Sequence, residues 1–184
     1  MGKIVVTEFI PLDGVAEDPG GAEGFDRGGW AFRFERGDEG DQFKLNELFA
    51  ADAQLLGRRT YDGFAEAWPS REDPVGFADA MNSMPKFVVS STLKDPSWKN
   101  TTVIGLDDVA GLRDRFERDI LVAGSIQLSQ ALIENDLVDE LHLMVFPVVL
   151  GAGKRLFAEG QERSFSLVDS KRVGDVTIAT FGRA

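Results

Sequence analysis

The strongest constraint on the fold is a repeated pairing of short apolar, β-branched runs with segments of helical periodicity. Residues 3–10 (KIVVTEFI) suit a strand buried on both faces. Further strand-like runs fall at 54–56, 86–89, 102–105, 120–123 and, longest, 140–149. Between them lie segments of helical spacing. Residues 41–53 carry Leu45, Leu48 and Phe49, with Asp41 placed to cap the helix or occupy its first turn. A second helix is expected near 61–67. A third, capped by Asp107 or Asp108, turns Val109, Leu112 and Phe116 inward, and a fourth turns in Leu128, Ala131 and Leu132. Strands alternating with helices predict an α/β sheet that is mostly parallel. The last two runs, 165–171 and 177–181, flank the hairpin signal Gly174-Asp175, so an antiparallel edge closes the sheet. Trp30, Phe32 and Phe34 alternate with small or polar residues and predict a short extended piece. No repeat, low-complexity tract or linker is visible, and 184 residues suit a single domain over 1–184.

Composition removes much chemistry. With 20 Lys+Arg against 31 Asp+Glu the formal charge is −11, which argues against nucleic-acid or anionic-membrane partners. There is no cysteine, so disulfides, thiolate metal sites and cysteine nucleophiles are excluded, and a single histidine leaves no multi-histidine metal centre. That histidine, His142, sits in a strand between leucines and is assigned no role. No apolar run approaches the roughly 20 residues of a membrane-spanning helix. The first residues read as a strand rather than a signal peptide, making the cytoplasm the expected compartment.

Three strand-to-loop junctions carry the candidate chemistry. In open α/β sheets ligands collect beyond the carboxyl ends of strands, where helix N-termini offer N–H donors. The first junction, Gly57-Arg58-Arg59-Thr60, puts adjacent guanidinium groups into an acidic protein, which fits a local anion site or surface charge balanced by nearby acids. The second, Ser90-Ser91-Thr92, offers hydroxyls. The third, Gly124-Ser125-Ile126-Gln127, sets a glycine between a buried strand and a helix, where backbone N–H groups can approach a pyrophosphate. Gly151-Ala152-Gly153-Lys154 lacks phosphate-loop spacing, because Arg155 follows the lysine, and reads as a turn. Residues 14–29, rich in glycine and acids, form a long loop, read as a flexible lid or, alternatively, as a solvated insertion with no role.

These junctions, in this order, resemble the dihydrofolate-reductase-like superfamily. They are most similar to stand-alone relatives of the reductase domain of the riboflavin-biosynthesis deaminase/reductase. The resemblance rests on Leu12-Asp13-Gly14, Leu56-Gly57-Arg58-Arg59-Thr60-Tyr61 and Val122-Ala123-Gly124-Ser125. It continues through Val138-Asp139-Glu140-Leu141-His142-Leu143 and Pro147-Val148-Val149-Leu150-Gly151-Ala152-Gly153. It implies a three-layer αβα fold around a mostly parallel sheet with an antiparallel C-terminal edge. It also implies NADPH as cofactor: Gly57, Arg58, Arg59 and Thr60 as a phosphate segment, and Ser90, Ser91 and Thr92 beside the adenosine 2′-phosphate. Gly124, Ser125, Ile126 and Gln127 match the pyrophosphate turn, and Ala16 lies near the nicotinamide.

The implied activity is reduction of a ribosylaminopyrimidine in riboflavin biosynthesis, with dihydrofolate or pteridine reduction as one alternative. A non-catalytic NADPH-binding module is the alternative of another class. By the same resemblance Asp41, at the matching distance ahead of Gly57, is the candidate proton relay; it is equally placed to cap its helix. The folate enzyme's Trp-x-Leu-Pro pattern before that acid is missing. So are the H-x-E and P-C-x-x-C zinc signatures of the deaminase half, so the expected chemistry is reduction of a small heterocycle without deamination. A homodimer joined through the C-terminal strands is also implied.

Overall fold

A computed structural model describes all 184 residues. Eight strands make one sheet: β1 (Ile4–Pro11), β2 (Ala51–Gly57), β3 (Lys86–Val89), β4 (Thr101–Ile104), β5 (Asp119–Val122), β6 (Glu140–Phe146), β7 (Phe165–Val173) and β8 (Val176–Arg183). Their spatial order is β4-β3-β2-β5-β1-β6-β8-β7. The pairs from β4 through to β6 are parallel. Those joining β6 to β8 and β8 to β7 are antiparallel, the latter through the hairpin signalled at Gly174-Asp175.

Period-2 alternation divides β1 between two layers. Ile4 and Val6 pack with Leu128 and Leu132 of α4 (Ile126–Glu134), whereas Val5 packs with Leu48 of α1 (Gly37–Ala50). The second layer also holds Tyr61 of α2 (Arg58–Ala67) and Met81 of α3 (Phe77–Ser83). A third cluster, with Trp30, Phe146, Val173 and Ile178, closes the antiparallel end. The result is helices on both faces of the sheet, the three-layer arrangement expected.

Three local readings are corrected. Residues 30–34 are not extended: Trp30–Arg33 is a 3-10 turn that buries Trp30 fully and leaves Phe32 78% exposed. The reason is tertiary. The Trp30 ring packs edge-on against Phe146 at 5.3 Å while its Nε1–H donates to the Glu17 carbonyl. The helix expected after Asp107 is two short 3-10 turns, Leu106–Asp108 and Ala110–Arg115, which still bury Val109 and Leu112. The helix α1 begins at Gly37, so Asp41 is its fifth residue and cannot cap it.

Candidate functional site

The carboxyl ends of β1, β2 and β5 open into a cleft of about 160 Å³. Its wall draws on Glu8 of β1, Ala16 to Pro19 of the following loop, Arg59, Thr60 and Phe64 of α2, Ala123 to Gln127, and Lys154. Of the residues singled out in the sequence, Ala16, Arg59, Thr60, Gly124, Ser125, Ile126 and Gln127 meet here.

The meeting is tight because two glycines allow it. A Cβ on Gly57 would collide with the Ser125 hydroxyl oxygen. Gly124 adopts φ +84°, where a side chain is strained, and a Cβ there would lie 2.9 Å from Oγ1 of Thr60. The first turns of α2 and α4 are thus pressed together at the end of the sheet. Arg58 points elsewhere: its Nε donates to Asp62 at 2.9 Å and its Nη1 to Oγ1 of Thr92 at 3.4 Å. Ser90 shapes that corner, its Oγ accepting from the amides of Thr92 and Leu93. Ser91 is exposed beside it. The predicted residues therefore form two neighbouring groups, a cleft wall and a rim of Arg58, Ser90, Ser91 and Thr92.

Asp13 of the Leu12-Asp13-Gly14 segment fixes the loop that borders the cleft. Its Oδ2 accepts from the amides of Leu150 at 3.0 Å and Gly151 at 2.7 Å, and Oδ1 from Val15 at 3.4 Å. Desolvation opposes ionisation of this carboxyl, but the three amides outweigh it and hold its pKa below the usual range. The stretch expected to be a lid is anchored at both ends. Asp18, buried and at φ 49°, accepts from the amides of Glu23 and Phe25, and Gly21 and Gly29 donate to its carbonyl. Residues 20–24 at the tip are exposed.

The turn at Gly151-Ala152-Gly153 has a use the sequence did not disclose, since it delivers Lys154 to the cleft. There Nζ of Lys154 lies 2.9 Å from Oε1 of Glu17, and that hydrogen bond is the main reason the Glu17 pKa is lowered. Asp41 is not part of the cleft. Its side chain is 65% exposed and engages Nε of Arg36 at 2.6 Å, so the geometry gives no support to the proton relay expected of it.

Besides Glu17, Asp18 and Glu23 of the loop, the cleft is lined by Glu8 of β1, whose Oε1 accepts from the Ser129 hydroxyl at 3.0 Å. Burial raises its pKa to about 7, against the lowering influence of Ser129, Lys44 and the Gly124 backbone. Alternation along β1 was the available signal: Glu8 falls on the same face as the buried Ile4 and Val6. No group of three or more His, Cys, Asp or Glu side chains is placed to hold a metal ion. No helix is long and apolar enough to cross a membrane.

The family model described as the RibD C-terminal domain matches residues 2–179. The uncharacterised Bacillus subtilis protein YyaP is 32% identical over 126 residues, which is 65% of this chain and 64% of that protein. A second uncharacterised B. subtilis protein, YwjB, is 26% identical over 99% of this chain and 98% of its own. Among solved structures, the "Putative riboflavin biosynthesis protein" of Shewanella sp. PV-4 superposes with a TM-score of 0.77 at 23% identity, covering 99% of both chains. RibD of Acinetobacter baumannii gives 0.64 at 18% identity, covering all of this chain and 58% of that one. These two likenesses establish the fold.

Proposed function

Because the chain belongs to the RibD C-terminal domain family, we propose that it is an NADPH-dependent reductase passing hydride to a ribosylaminopyrimidine of riboflavin biosynthesis. The observation that carries this reading is the convergence of Arg59-Thr60 and Gly124-Ser125-Ile126-Gln127 on one cleft, with Arg58 and Thr92 at its rim. The residues present fit a dinucleotide. The cleft is approached by the first turns of two helices, whose free N–H groups favour phosphate. Gly57 and Gly124 keep those turns close where a Cβ would collide. In this reading Gly124 to Gln127 and Thr60 hold the pyrophosphate, and Arg58, with Ser90, Ser91 and Thr92, holds the 2′-phosphate. Ala16 borders the nicotinamide.

When bound, the cofactor supplies the hydride. The chain's own residues orient it, exclude water and manage the proton. Asp13 sets the loop that carries Ala16, so loop position and cofactor position are linked through the carboxylate's contacts with Leu150 and Gly151. The protein is proposed to work as a homodimer.

Titration with NADPH and, separately, NADH, followed by nicotinamide fluorescence, tests the reading. NADPH is expected to bind more tightly. Arg58→Ala should remove most of that preference, on the order of tenfold for a lost charge-assisted hydrogen bond. Arg59→Ala should weaken both nucleotides. Failure of the wild-type protein to bind either nucleotide overturns the reductase reading.

A further inference from the structure

We infer that Glu8 gives up the proton that accompanies hydride in the reduction, a role that rests on the reductase reading above. A carboxyl group in the interior of a central strand needs a reason, because burial without a counter-ion is costly. β1 lies between β5 and β6, and Glu8 makes no ion pair there. One of its oxygens is fixed by Ser129 of α4, while the other accepts from no side chain and Glu8 forms part of the cleft wall. Placed so, with Oε1 anchored by Ser129 and the Gly124 backbone close by, the carboxyl can pass a proton to a ligand in the cleft.

The charges that face it come from every wall. Lys44 approaches from α1, Glu17, Asp18 and Glu23 from the loop after β1, Arg59 from α2 and Lys154 from the turn after β6. Desolvation keeps the acid protonated to about pH 7, which suits a donor working near neutrality. As the carbon of a C=N or C=O group accepts hydride from the dihydronicotinamide, the O–H bond of Glu8 breaks. Its proton joins the nitrogen or oxygen, and the dihydronicotinamide is oxidised as the substrate is reduced. The carboxylate left behind is stabilised by Ser129 and Lys44 until water returns a proton.

Two measurements test this. Carbon NMR of the Glu8 carboxyl, assigned by its loss in Glu8→Gln, is followed against pH with and without NADPH. A midpoint near 7 in both states is expected; a midpoint below about 5.5 leaves the group ionised at neutral pH and overturns the proposal. Turnover is then followed as loss of dihydronicotinamide absorbance with 5-amino-6-(5-phosphoribosylamino)uracil. Wild-type kcat is expected to fall above about pH 7, and Glu8→Gln to lose about 10²- to 10⁴-fold with that limb abolished while NADPH affinity stays the same. Ser129→Ala removes a donor to the carboxylate and should move the limb to higher pH, which a merely structural glutamate would not do. Turnover of Glu8→Gln at the wild-type rate with the limb intact overturns the inference. Loss of NADPH binding in the wild type overturns the reductase reading instead. If the wild type binds NADPH but leaves the pyrimidine unreduced, the substrate is wrong and the carboxyl midpoint decides the case for Glu8.

Discussion

At the scale of single residues, charge placement across β1 separates structure from chemistry. Glu8 faces the α4 layer and the cleft; its neighbour Thr7 faces α1 and lies in register with His142. His142 is held from both sides, Nδ1 at 2.7 Å from Glu47 and Nε2 at 3.2 Å from Glu140. Burial lowers the imidazole pKa, but the two carboxylates outweigh it and the net shift is upward. Glu47, itself desolvated, is carried the other way by Lys44 and His142. Stability from the raised histidine is present in full below its unfolded pKa of about 6.5 and is lost as pH rises through the folded value. Stability from the lowered glutamate is present above its unfolded value near 4.5 and is lost as pH falls. The pair therefore contributes most between about pH 5 and 6.5. His142→Gln should cost about 1–3 kcal/mol at pH 6 and less at pH 9, read as a narrowing gap between the thermal midpoints of variant and wild type. An equal gap at both pH values would refute the ion pair. Glu140 lies two residues away on the same strand and face, but nothing adjacent in sequence points to Glu47, which is 95 positions away; a lone strand histidine can be read as structural, but this partner cannot be named from it.

At the scale of elements, what was legible is what local pattern controls. The strands at 86–89 and 120–123 were found within a residue, because short apolar runs between turn residues have few other uses. α3 was not expected at all. It is only seven residues long, and its start is set by Asp73, whose carboxylate accepts from the amides of Phe77 and Ala78 across the intervening Pro74-Val75-Gly76. The turn at Trp30 was missed for the opposite reason: its conformation is imposed by the distant Phe146. The site followed the same rule. The junctions at Gly57-Arg58-Arg59-Thr60 and Gly124-Ser125 are readable, although α2 starts three residues before the expected Tyr61, whereas Lys154 and Glu8 reach the cleft through a turn and a strand that carry no ligand signature. The clamp between the loop after β1 and the turn after β6 gives this scale its prediction. Asp13→Ala removes the acceptor for Leu150, Gly151 and Val15, so hydrogen exchange should quicken at those amides, with a stability loss of about 1–2 kcal/mol. Since the clamp sets Ala16 but not Arg58, turnover should fall more than NADPH affinity does. Equal losses of both would detach the clamp from nicotinamide positioning.

For the whole molecule, the sheet is asymmetric in how its edges are managed. The β4 edge is only four residues long, Thr101–Ile104, and so presents little unpaired backbone. The other edge, β7, is nine residues long and exposed over most of its length, including Leu167 at 60% and Val168 at 66%. Part of that edge is defended by an irregularity between Leu167 and Asp169 and by the charges of Asp169, Lys171 and Arg172, devices that discourage indefinite strand addition. The apolar pair lies at the bulge, where a closed two-fold contact can bury it without extending the sheet. An acidic chain of net −11 gains little from electrostatic attraction to its own copy, so apolar burial has to hold such a dimer together. Light scattering after size exclusion is accordingly expected to give twice the 20.1 kDa chain mass. Leu167→Glu combined with Val168→Lys should return it to one chain while leaving NADPH affinity intact, because the cleft lies at β1, β2 and β5, away from this edge. A wild-type mass of one chain would instead leave β7 protected by its bulge and charges alone.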